Sequence, residues 1–213
     1  METVSILQLI PGFKPDVDGM GDFSRRLGTA LWEKHSIRSH YVVFRKPHLP
    51  LDAGEIAPNT ISYPSAATPT LLLNHIEDLK KLRNFDAILV HYGPYSYSPL
   101  GRPKAFGKIL ETLSKSSNLS IFFHELYASG KPWKRAFWTN QEQKRCVADL
   151  LRYATIAFTS NSEYMQKLEN LNTTASQLIK IPVGVNIGEP LLLPSLSERT
   201  RQLIIFGQIA NRT

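Results

Sequence analysis

Two histidines and a pair of glycines carry the chemistry this chain offers. The run Ser120-Ile121-Phe122-Phe123-His124-Glu125-Leu126-Tyr127 is a short apolar stretch that ends by presenting an imidazole and a carboxylate. Asp86-Ala87-Ile88-Leu89-Val90-His91-Tyr92-Gly93 ends in the same way, on His91. A third apolar run, Val4 to Ile10, leads into a loop from Pro11 that carries Asp18-Gly19-Met20-Gly21-Asp22. An imidazole can act as a general base or hydrogen-bond a sugar hydroxyl. Glycines at the start of a helix let backbone N–H groups approach a phosphate. If the three runs are parallel neighbouring strands, His91, His124 and the Gly19 to Gly21 loop converge at the carboxyl ends of the strands, where open α/β sheets place their ligands.

The elements needed to position these residues can be read in order. Continuous apolar runs at 4–10, 40–44, 86–91, 119–124, 155–159 and 178–181 predict strands covered on both faces, and Thr60 to Tyr63 a short one. Between them, helical spacing predicts helices near Asp22 to Lys34, with a stripe of Phe23, Leu27, Ala30 and Leu31, and near Pro69 to Leu82. Further helices are predicted near 102–115, Lys134 to Tyr153 and 162–170, the last capped by Ser160-Asn161-Ser162. The alternation specifies an α/β fold with a doubly wound, mostly parallel sheet. Residues 1–187 form that domain in this reading. Residues 188–200, rich in Pro, Ser and charge, read as a linker, and 201–213, with Leu203-Ile204-Ile205-Phe206-Gly207, as the first strand of a second, truncated domain.

Composition narrows the function. With 213 residues, 42% hydrophobic and 20% charged, the chain is an ordinary globular sequence. Its net charge of +7 comes from scattered Lys and Arg rather than a dense basic run, which argues against nucleic-acid binding. The single cysteine, Cys146, excludes an internal disulfide and a multi-cysteine zinc site, and the histidines lack ligand spacing, so no metal is expected. The chain opens without a basic, apolar leader and has no run of the ~20 apolar residues a membrane span needs, from which a cytoplasmic location is expected. Tyr92, Tyr95, Tyr97, Trp133 and Trp138 offer stacking faces for an acceptor, and Lys131, Lys134 and Arg135 beside Trp133 form a basic, aromatic stretch compatible with peripheral membrane contact. Gly19-Met20-Gly21 also invites comparison with a dinucleotide fingerprint. It lacks the third glycine, Ser24 standing there, and Arg45-Lys46 rather than an acid follow the second strand, a pair that suits an NADP 2′-phosphate. An NADP-binding oxidoreductase domain is therefore one alternative, and a non-catalytic binding subunit paired with a separate donor domain is another.

Four segments in order resemble glycosyltransferase family 4, of the GT-B fold. Asp18-Gly19-Met20-Gly21-Asp22-Phe23 is similar to the family's first glycine loop, and Ile121-Phe122-Phe123-His124-Glu125 to its strand ending in His-Asp or His-Glu. Thr159-Ser160-Asn161-Ser162-Glu163-Tyr164 with Leu168 resembles its following helix start. Ile181-Pro182-Val183-Gly184-Val185-Asn186 resembles the segment closing the N-terminal domain, with Val183 replacing the usual Asn and Asn186 the usual Asp. The resemblance implies a retaining transfer of a hexose from a nucleotide-sugar donor to an acceptor hydroxyl, without metal or other cofactor. It implies that His124 is the catalytic-site residue near the transferred sugar and that Gly19, Met20 and Gly21 approach the donor diphosphate. His91, Tyr92, Tyr95, Glu125 and Trp133 are the expected acceptor or cleft residues. The donor-binding C-terminal domain would be the missing partner, without which the chain is expected to be inactive.

Overall fold

The computed structural model describes residues 4–13, 18–44, 55–57, 60–63, 68–171, 176–182, 195 and 197–198. Its strands are β1 (Ser5–Ile10), β2 (Arg38–Val43), β3 (Glu55–Ala57), β4 (Thr60–Tyr63), β5 (Ala87–Tyr92), β6 (Leu119–Phe123), β7 (Ile156–Thr159) and β8 (Gln177–Lys180). They form one sheet in the order β3-β4-β2-β1-β5-β6-β7-β8. Every pairing is parallel except the short β3 against β4. The helices are α1 (Gly19–His35), α2 (Pro69–Leu82), α3 (Pro94–Tyr97), α4 (Lys104–Ser114), α5 (Arg135–Tyr153) and α6 (Ser162–Leu171). The doubly wound, mostly parallel α/β sheet is thus present, with β1, β5 and β6 as adjacent parallel strands.

Local chemistry sets the ends of the elements. Thr68 accepts a hydrogen bond from the Leu71 N–H and Pro69 occupies the first turn of α2, so that helix starts where its cap stands. Asn161 caps α6 by accepting from the Tyr164 N–H at 2.8 Å. α1 differs from the expected start at Asp22. The Asp18 carboxylate accepts from the Met20 and Gly21 N–H groups, so Gly19, Met20 and Gly21 form the helix's first turn rather than a loop. The stripe Phe23, Leu27, Ala30 and Leu31 is only half-buried; the face α1 sinks into the sheet is Gly21, Ser24 and Gly28. Small residues at that spacing bring the helix backbone close to the strands. A Cβ at Gly28 would stand 2.0 Å from the Tyr41 hydroxyl, and one at Gly21 2.4 Å from the Gly12 carbonyl oxygen.

The main core fills the sheet face under α2, α4, α5 and α6. Leu7 and Leu9 from β1, Leu72 and Ile76 from α2, Leu110 and Leu113 from α4 and Val147 and Leu151 from α5 join one apolar cluster. On the face under α1, a small cluster of Ile10, Phe13, Tyr41 and Val43 stands beside buried polar side chains. The expected linker at 188–200, apart from Ser195, Ser197 and Glu198, and the expected strand at 201–213 lie outside the described residues. So do Arg45, Lys46 and residues 183–186.

Candidate functional site

Register decides what each histidine does. His91 pairs with Phe122 and Tyr92 with Phe123, so His91 sits one position back from the end of its strand and His124 one position beyond the end of β6. Alternation turns Gln8, His91 and His124 to the face under α1. There Nδ1 of His91 lies 3.0 Å from Nε2 of His124, and Nε2 of His91 lies 2.8 Å from Oε1 of Gln8. Gln8 Nε2 donates to Ser39 Oγ at 2.9 Å. The Phe23 ring of α1 closes over this group, 5.9 Å from His91 and 5.1 Å from His124. The neighbouring strand β5 also holds His124 in place, because the His124 N–H donates to the Tyr92 carbonyl.

Burial sets the protonation of both rings. Desolvation lowers the His91 pKa well below the ordinary histidine value, with the neighbouring His124 adding to it. Burial alone lowers His124 to about 4. Both rings are therefore neutral at pH 7. His124 is half-buried, and among the described residues nothing hydrogen-bonds its Nδ1. That nitrogen is the one free site of the pair.

The remaining expected site residues scatter. His91 is fully buried and cannot touch an acceptor; it stands behind His124, because β5 ends one residue later and Phe23 covers it. Tyr92 is also fully buried, on the opposite face, against Phe123 and Tyr97, so it belongs to the core rather than to a stacking wall. Glu125 is exposed at the end of β6. Tyr95, 47% exposed on α3, accepts a hydrogen bond from Gln143. Trp133 is 75% exposed, with the Lys131 ammonium 5.2 Å from its ring centre. In the first turn of α1, Gly19 has no atom within 4 Å of where a Cβ would stand, while the Met20 side chain packs on Gly93. Asp18 already takes the Met20 and Gly21 amides.

Gln143 and Asn140 escaped the sequence reading. Gln143 is fully buried, accepts from the Ala128 N–H and donates to Tyr95 and to the Leu100 carbonyl, while Asn140 donates to the Ala128 carbonyl. The two amides of α5 thereby clamp the segment that follows His124 and Glu125. Their signal was two amides in step with the buried positions Val147 and Leu150 of the same helix. Beside that segment lies an open cavity of about 620 Å³, lined by Tyr127, Phe137, Trp138, Asn140, Lys144 and Lys167. Trp133 and Tyr95 do not line it. Among the described residues no group of acidic, His or Cys side chains could hold a metal ion, and no helix is long and apolar enough to cross a membrane.

No protein-family model matches the chain, and no curated protein sequence does. Solved structures do. Sucrose-phosphate synthase from Thermosynechococcus elongatus superposes with a TM-score of 0.62 at 15% identity, over 85% of this chain and 48% of its own. UDP-GlcNAc 2-epimerase from Neisseria meningitidis, solved with UDP-GlcNAc, gives 0.53 at 10% identity over 83% and 45%. An α,α-trehalose-phosphate synthase (UDP-forming) from Burkholderia vietnamiensis gives 0.50 at 12% identity over 87% and 49%. The likeness is one of fold. It defines the chain as a Rossmann-like α/β domain of the GT-B type, spanning about half the length of these three relatives.

Proposed function

We propose that the chain is the acceptor-side domain of a retaining glycosyltransferase of family 4, which moves a hexose from a nucleotide-sugar donor to an acceptor hydroxyl. The observation that carries this reading is His124. It is half-buried at the carboxyl end of β6, neutral, with one ring nitrogen free, and Phe23 of α1 packs on it one turn from Gly19. A neutral imidazole there can hydrogen-bond a sugar hydroxyl as the transferred hexose sits at the strand ends. The donor diphosphate would approach the first turn of α1 beside Gly19, where there is open space, while the Asp18 carboxylate keeps the Met20 and Gly21 amides. Glu125, Tyr95 and Trp133, exposed at or beyond the same strand ends, are the acceptor-side candidates. A second domain would supply the remaining donor contacts, because transfer needs both substrates held in one cleft. The reading calls on no metal or organic cofactor and on no nucleic acid. The location proposed is cytoplasmic, with Trp133 and the neighbouring Lys131, Lys134 and Arg135 available to a membrane surface.

A thermal-shift panel with UDP-glucose, UDP-GlcNAc, GDP-mannose, NAD and NADP tests this on the chain and on His124→Ala. Selective ligand binding raises the melting temperature by mass action, worth about 2.7 kcal/mol at a hundred times Kd. The expected result is a rise with one sugar nucleotide that the variant loses. A rise with NADP and with no sugar nucleotide overturns the reading.

A further inference from the structure

The hydrogen bonds behind His124 form a chain whose direction is fixed at its far end. The Ser24 carbonyl can only accept, and the Tyr41 hydroxyl lies 3.0 Å from it, so Tyr41 donates there. Having spent its proton, Tyr41 must accept from the Ser39 hydroxyl bonded to it. Ser39, its proton spent in turn, must accept from the Gln8 amide nitrogen. The Gln8 side-chain orientation follows, and it turns Oε1 toward His91. His91 must then carry its proton on Nε2. A fully buried His91, neutral because burial depresses its pKa, has only a lone pair left on Nδ1. Facing that lone pair 3.0 Å away, Nε2 of His124 must be the protonated nitrogen.

We infer that Ser39, Tyr41, Gln8 and His91 are positioning residues that hold His124 in the Nε2–H tautomer, so that it presents a bare Nδ1 lone pair at the strand ends. Such a nitrogen accepts a hydrogen bond and offers none. Its ligand group is therefore a donor, such as a sugar hydroxyl, and not the oxygen of a phosphate or carboxylate. This deepens the glycosyltransferase reading and rests on it for the identity of the hydroxyl, whereas the tautomer itself depends on the protein alone. The usual ambiguity of an amide orientation and an imidazole tautomer is removed here because a backbone carbonyl, which has one possible role, terminates the chain. All members except His124 are sealed from solvent, which keeps water from supplying an alternative donor or acceptor.

The test is histidine-selective ¹⁵N NMR on the ligand-free chain at neutral pH, with resonances assigned by His91→Gln and His124→Gln. The expected spectrum shows His124 with a protonated Nε2 and an unprotonated Nδ1. A wild-type His124 protonated on Nδ1 overturns the inference. Tyr41→Phe and Ser39→Ala remove links far from the ring and free Gln8 to turn over, so both are expected to show a second His124 tautomer. Their retained fold is checked by the backbone amide spectrum. A single unchanged tautomer in both folded variants also overturns the inference. No sugar nucleotide is present, so failure of the glycosyltransferase reading, seen in the thermal-shift panel, leaves this result legible.

Discussion

The two faces of the sheet are built from different forces. Under α2, α4, α5 and α6 the strands offer Leu7, Leu9, Val42, Val90, Ile121 and Phe123 to a continuous apolar cluster, held by non-directional burial. Under α1 the same strands offer Gln8, Ser39, Tyr41 and His91, held by a one-way run of hydrogen bonds. Neighbouring residues show the contrast within a single strand. His91 joins the polar chain, whereas Tyr92, turned to the other face, lies among aromatic rings. Apolar packing tolerates small shifts; a hydrogen-bond chain specifies which atom carries each proton. Stability is thus concentrated on one face and the preorganisation of the candidate site on the other.

The largest effect should come from the apolar face. Leu110 of α4 is fully buried, and Leu110→Ala leaves a cavity that is expected to cost about 2–5 kcal/mol in urea unfolding. His124 lies on the other face, so its ¹⁵N tautomer signature should survive in the folded fraction. Gly28→Ala breaks the opposite side. Its methyl would meet the Tyr41 hydroxyl at 2.0 Å, so α1 must move or Tyr41 must leave Ser24. The expected loss is about 1–3 kcal/mol, the usual range for overpacking. Here the tautomer signature should change together with stability, which the Leu110 variant does not do.

Acid should also find the polar face. The folded pKa of His124 is about 4, and that of His91 is lowered as well. His40, buried near Arg83 and Arg38, is lowered to about 4. In each case the unfolded chain takes up a proton at higher pH than the folded one. Their contribution is complete above the ordinary histidine value of about 6.5 and is lost as pH falls through the folded values. The melting temperature should therefore drop from pH 7 to pH 4. Gln substituted at both 91 and 124 should flatten that slope, and an unchanged slope would show that these two rings are not what acid attacks.

The sequence made local structure legible where one residue decides it. Thr68 and Pro69 announce the start of α2, and the expected range Pro69 to Leu82 is the observed one. The order of strands and helices, and with it the parallel sheet, followed from alternation. At α1 the glycines suggested a loop and hid the cap at Asp18, and the apolar stripe suggested the wrong buried face, because glycine and serine pack by close approach rather than by hydrophobic area. His91 and His124 close similar apolar runs, so nothing local separates them. Their difference, one buried and one at the end, is a two-residue offset in register: His91 lies opposite Phe122, and His124 follows two positions further on, on the same face. Gln8 lies inside an apolar strand, and the partners that explain it are 31 and 83 residues away.

The sharpest form of the comparison removes the same atom from each face. Tyr41→Phe deletes a hydroxyl that donates to the Ser24 carbonyl and accepts from Ser39, so the buried Ser39 proton loses its acceptor and the Ser24 carbonyl one of its bonds. An expected loss of about 1–3 kcal/mol follows from stranding the Ser39 donor. Tyr92→Phe deletes a hydroxyl that is fully buried and has no hydrogen-bond partner among the described residues. Folding already removed that hydroxyl from water without compensation, so its deletion should leave stability unchanged or raise it by about 1 kcal/mol. Urea midpoints of the two variants, measured side by side, should therefore move in different directions from the parent or at least by unequal amounts. Equal losses would mean that the phenol of Tyr92 is hydrogen-bonded in solution and that the apolar face carries directional bonds of its own.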